Sequence, residues 1–83
     1  MKLGVIGIII EDRTFAESVN KLLSEYGDSI IGRMGIPDRA NGVFVISVIV
    51  RAENETVSAF SGKLGRLKGV KVKSAVTDAD VAV

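Results

Sequence analysis

The stretch Leu3 to Ile10 reads LGVIGIII, an unbroken apolar run rich in β-branched side chains. With no polar residue alternating through it, the run reads as a central strand covered on both faces. Outward from it, Glu11-Asp12-Arg13 turns the chain. Thr14 and Glu17 then form a capping box ahead of Phe15, Val19, Leu22, Leu23 and Tyr26, which share one helical stripe, and Gly27 ends the helix. A second strand is expected over Ser29 to Ile36, stopped by Pro37. The polar loop Pro37-Asp38-Arg39-Ala40-Asn41-Gly42, with Asn41-Gly42 as its turn, makes a hairpin with the third strand, Val43 to Val50 (VFVISVIV). That strand is again apolar on both faces apart from Ser47.

Asn54 stands where a cap would open a second helix, which carries Val57, Phe60 and Leu64 and is followed by Gly65 and Gly69. The last strand, Val70 to Ala75, alternates and leaves Lys71 and Lys73 on one side, as suits a protected edge. The order is β-α-β-β-α-β. The expected fold is therefore α+β: a ferredoxin-like sandwich of a four-stranded antiparallel sheet with two helices on one face. Residues 1–76 form the domain, and residues 77–83 are read as a loose tail or a short added strand.

At 83 residues the chain is one domain with a thin core, burying only about 60–65% of its unfolded surface. It has no cysteine and no histidine. Disulfides, thiolate zinc, Cys or His nucleophiles and the commonest transition-metal ligands are excluded, and neither metal nor cofactor is expected. A formal net charge of +1 gives no general attraction to nucleic acid or an acidic membrane. The apolar runs are too short to span a bilayer and the start lacks a leader pattern, so the expected location is the cytoplasm. Two helices cover only one sheet face, yet the first and third strands are apolar on both. The exposed face exceeds what monomers tolerate, and a homo-oligomer is expected through that face or through edge strands.

The chemistry-bearing candidates are few. Ile30 to Pro37 reads IIGRMGIP, and Gly32, Arg33, Met34, Gly35, Ile36, Pro37 and the nearby Arg39 are the candidate ligand-binding residues. The glycines permit close approach, and Arg33 offers a planar cation for a carboxylate or phosphate. Two readings of Arg33 stand, an anion anchor or an intersubunit salt bridge, and Gly35-Ile36-Pro37 also reads as a simple bend. Gly62-Lys63-Leu64-Gly65 has the spacing of a nucleic-acid-clamping GxxG loop, but it closes a helix before a strand and reads as a cap. Phe44 is the only aromatic of the third strand, too few for an RNA-recognition sheet. Gly4 and Gly7 lie inside a strand and make no dinucleotide fingerprint. Glu11, Asp12 and Asp38 are read as solvated or capping, and no catalytic residue is assigned.

The segments GVIGIII (4–10), IIGRMGIP (30–37), VFVISVIV (43–50) and SGKLGRLKGVKVKSA (61–75) resemble the small iron-only hydrogenase system regulators of anaerobic bacteria. The family is similar to the ligand-binding half of nickel-responsive repressors and to ACT-type regulatory domains. The resemblance implies a dimer or tetramer, an unidentified small effector bound at an interface, and a role in hydrogenase expression or maturation with a hydrogenase-related protein partner. The repressors' histidines and cysteine are absent, so nickel sensing of that type is excluded. Their DNA-binding ribbon-helix-helix has no counterpart before the first strand, and direct DNA binding is not expected. Three readings follow: an effector-binding regulatory domain, a ligand-free docking module for maturation factors, and, last, a small enzyme. Glu11-Asp12-Arg13 stands where the phosphate loop of an acylphosphatase-like enzyme would lie and would repel phosphate.

Overall fold

The computed structural model describes residues 1–82. Its elements are β1 (Lys2–Ile10), a 3-10 turn (Arg13–Phe15), α1 (Ala16–Glu25), a second 3-10 turn (Gly27–Ser29), β2 (Ile30–Asp38), β3 (Val43–Ala52), α2 (Asn54–Gly65) and β4 (Val70–Val76). All pairings are antiparallel, in the order β2-β3-β1-β4. The longest apolar runs, β1 and β3, thus occupy the centre, and the strand containing proline lies at an edge.

Strand alternation decides the core. Ile6, Ile8 and Ile10 of β1 pack with Ile46, Val48 and Val50 of β3 against Val19 and Leu23 of α1 and Val57, Phe60 and Leu64 of α2. Both helices therefore cover the same face. Tyr26 stacks on Phe60 at 4.5 Å between ring centroids, and the Lys63 ammonium lies 5.2 Å from the Tyr26 ring. Within one chain the central strands are covered on this face only: Val5, Ile9, Val45 and Ile49 point the other way and stay exposed.

Several local expectations are corrected. The first helical turn is capped by Asp12, whose carboxylate accepts from the Thr14 N–H at 3.0 Å and the Thr14 hydroxyl at 2.7 Å. Thr14 is spent on this bond, and the capping box with Glu17 does not form. Asn54 is the first residue of α2; the capping position falls on Glu53, whose side chain makes no cap bond. Pro37 does not stop its strand. β2 continues through it to Asp38, since an edge strand has one side without a partner strand and tolerates proline there.

Two glycines have a geometrical duty. Gly42 takes φ 69° in the β2–β3 turn, where Asp38 accepts from the Asn41 N–H and side-chain amide. Gly69 lies so close to the first loop that a Cβ there would stand 2.4 Å from the Asp12 Cβ and 2.7 Å from the Phe15 ring. Its carbonyl accepts from the Glu11 and Asp12 N–H groups at 2.8 and 3.1 Å, tying the end of β1 to the start of β4.

Past β4 no further strand forms among the described residues, but the segment is tethered. The Thr77 N–H donates to the Leu3 carbonyl, its hydroxyl accepts from the Leu3 N–H, and the Val81 N–H donates to the Met1 carbonyl. Asp80 lies near the Met1 ammonium and Lys2 Nζ, at 3.7 and 3.5 Å, and Lys2 also bonds the Asp78 carbonyl. Of the expected tail, residue 83 lies outside the described residues.

Candidate functional site

The uncovered sheet face is an ordered grid. Pairing across the four strands aligns Ile36, Val45, Ile9 and Lys71 in one row, Met34, Ser47, Gly7 and Lys73 in the next, and Gly32, Ile49, Val5 and Ala75 in a third. Beyond them Leu3 pairs with Arg51 at one end, and Asp38 pairs with Val43 at the other. The middle row has a serine and a glycine at its centre. Shallow hollows of about 210 and 300 Å³ open on either side of that row, one beside Ile9 and Lys73, the other lined by Gly32, Arg33, Met34, Ser47 and Ile49. A third, of about 430 Å³, lies at the Leu3 end between Val5, Ile49, Ala75 and Val76.

The register divides the candidate residues of the IIGRMGIP stretch between two faces. Gly32, Met34 and Ile36 are on the open face, where Met34 and Ile36 are 64% and 56% exposed. Arg33, Gly35 and Pro37 pair with Val48, Ile46 and Phe44 on the helix side of the edge strand. Arg33 is exposed and makes no ion pair among the described residues. Arg39 is exposed in the hairpin turn. Gly35 makes room for an aromatic ring, since a Cβ there would come within 2.9 Å of Phe44. Phe44, placed on the helix side, is unavailable as a stacking platform on the open face.

In the sequence alone no role attaches to Gly7, a glycine inside the first strand, or to Ser47, the polar residue of the third. The signal for them is the register, which shows two small side chains facing each other in the middle of a Val/Ile sheet. Nothing inside the chain calls for glycine at position 7: a Cβ would meet only the Lys73 carbonyl oxygen at 3.7 Å, an ordinary contact.

Acidic groups lie at the margins. Asp38 is held below the usual carboxylate range by the Asn41 side-chain amide and N–H. Asp12 is lowered likewise by the Thr14 hydroxyl and N–H, so its carboxylate occupies the loop donor that a phosphate would need. No group of three His, Cys, Asp or Glu side chains gathers around a metal-sized space among the described residues. Among the described residues no helix is long and apolar enough to cross a membrane.

Sheet order, helix placement and the uncovered face define the class: a ferredoxin-like domain of ACT-like form. Its fold is shared with the ACT domain of a GTP pyrophosphokinase from Chlorobium tepidum (TM-score 0.70, 21% identity, covering 88% of this chain and 84% of that one). The apo form of CPII, a nitrogen regulatory PII-like protein from Thiomonas intermedia K12, also shares it (TM-score 0.61, 15% identity, 93% and 90% covered). Much nearer is the uncharacterized protein TM1266 from Thermotoga maritima, with a TM-score of 0.85 and 36% identity over 92% of this chain and 98% of that one. Residues 2–74 match the TM1266-like family, described as "Iron-only hydrogenase system regulator, putative", and the chain belongs to that family. No curated protein matches it in sequence.

Proposed function

We propose that this chain is a small regulatory domain of the iron-only hydrogenase system, without catalytic activity of its own, that works in the cytoplasm as a homodimer or homotetramer. It acts through a small effector bound near the subunit interface or through a hydrogenase-related protein partner. The family match over residues 2–74 carries this reading. The family's description as a regulator supports a binding role over an enzymatic one. For the effector, the hollow at Gly32, Arg33, Met34, Ser47 and Ile49 is the candidate, with Arg33 the cation in its lining. Gly35, Ile36, Pro37 and Arg39 lie farther along the same edge, toward and into the hairpin turn.

A thermal-shift screen of amino acids, nucleotides and central metabolites tests this reading. An effector stabilises the form that binds it, so one class is expected to raise the melting temperature and Arg33→Ala to abolish the rise. A flat screen would count against the effector. The docking reading, in which the sheet face serves protein contacts alone, draws support from the split of the IIGRMGIP residues between two faces. It predicts co-purification with hydrogenase maturation proteins that Arg33→Ala leaves intact.

A further inference from the structure

The open face carries its charges at its borders, and their arrangement selects a partner. Its three inner rows on β2, β3 and β1 hold Val5, Ile9, Met34, Ile36, Val45 and Ile49 with Gly7, Gly32 and Ser47, and no charge. One end of the face carries Arg51 beside Leu3; the Asp80 carboxylate near that end is already matched by Lys2 and the Met1 ammonium. The other end carries Asp38, beside Val43, and Glu11, one residue past β1, two carboxylates beside the single cation Arg39 of the hairpin turn. Arg51, Glu11 and Asp38 form no ion pair within the chain among the described residues. Lys71 and Lys73 lie along the β4 border.

We infer that a second copy of this chain covers the open face, on a two-fold axis that runs across the strands over Gly7 and Ser47, with Arg51 of each copy between Asp38 and Glu11 of the other. The inference deepens the oligomeric reading above and rests on it. An axis across the strands reverses their direction, so the Arg51 end of one copy meets the Asp38 and Glu11 end of its mate twice over, as an isologous contact requires. An axis along the strands would instead bring Arg51 beside its own symmetry mate and Glu11 beside its own. Aligned sheets cross at about 30°, which carries Arg51 toward one of the two carboxylates and never away from both. The chosen axis brings Lys73 near its own symmetry mate as well, but at the solvent-open border, where the two long side chains diverge into water.

Two further observations fit. Four strands about 4.8 Å apart, with about eight residues each at about 3.3 Å, present roughly 500 Å² per copy. The pair would bury roughly 1,000 Å², the lower bound for a specific interface. Gly7 and Ser47, small without an intramolecular reason for Gly7, sit on the axis, where bulk on one copy would meet the same bulk on the other.

The test is a charge exchange read by analytical ultracentrifugation, with circular dichroism to confirm folding. Arg51→Glu, and separately Glu11→Lys combined with Asp38→Asn, are each expected to weaken the dimer by roughly 100-fold. Asn at position 38 keeps an acceptor for the Asn41 N–H, so the hairpin turn is retained. Mixed one to one, the two folded variants are expected to restore a dimer, because each pairs a reversed end with a complementary one. Variants that dimerise as wild type does, or a mixture that stays monomeric, would overturn this arrangement while leaving an oligomer through another surface standing. A monomeric wild type would overturn the oligomeric reading itself.

Discussion

Gly69 shows what one missing side chain does for this fold. Its α-hydrogen fits where any Cβ would strike the Asp12 Cβ and the Phe15 ring, so the first loop can hang its N–H groups on the Gly69 carbonyl. Gly69→Ala must displace the loop, and it is expected to destabilise the chain by about 1–3 kcal/mol in a denaturant titration. Gly7→Ala has room in the single chain and is expected to leave its unfolding free energy, measured where the chain is monomeric, within about 0.5 kcal/mol. The carboxylates of Asp12 and Asp38 behave in one direction. Each titrates below its unfolded value, so the stability it contributes is fully present above the usual carboxylate range and is lost as pH falls through the folded value. Asp12→Ala is expected to flatten the acid limb of a stability–pH curve relative to wild type, and an unchanged limb would contradict the capping account.

At the scale of elements, burial reveals which parts of the sequence could be read in advance. All four strands and both helices are visible in the pattern, because LGVIGIII has no polar interruption and VFVISVIV only Ser47, and the helical stripes at Val19/Leu23 and Val57/Phe60/Leu64 have the right spacing. Strand and helix ends are less legible. Thr14 and Asn54 are both good capping types, but the cap is taken by Asp12 in the first case and falls on Glu53 in the second, since local hydrogen bonds, not residue type, fix the position. Pro37 reads as a stop only until β2 is known to be an edge. The candidate site suffers most: six consecutive residues, Gly32 to Pro37, alternate between two faces once the register is set, and Arg39 falls in the turn beyond them. What a linear reading does convey is the excess of apolar surface, which the fold gathers on one face. Two element-level tests follow. Phe60 is buried and stacked on Tyr26, so Phe60→Ala is expected to cost about 3–5 kcal/mol and to unfold much of a domain this small at ordinary temperature. Glu53→Asp supplies the missing side-chain acceptor at the start of α2 and is expected to raise stability by about 1 kcal/mol.

For the whole molecule, a thin core on one side of the sheet and an uncovered apolar face on the other belong to the same problem. A chain of 83 residues cannot cover both faces of a four-stranded sheet with two helices. Covering the second face with another copy adds buried Val and Ile side chains at about 1.5–3 kcal/mol each where full burial is reached. Folding is then linked to association, and the thermal midpoint is expected to rise with protein concentration. It also places any effector hollow at Gly32, Arg33 and Met34 along the border of an interface, where a small ligand can favour one association state over another.

The most direct test of the central claim, that the open face is closed by a second copy, is native mass spectrometry of the protein purified from its own host beside the denatured mass of the same sample. The account predicts an even multiple of the single-chain mass for wild type and a single chain for Arg51→Glu under the same conditions. A wild-type mass equal to one chain would contradict it.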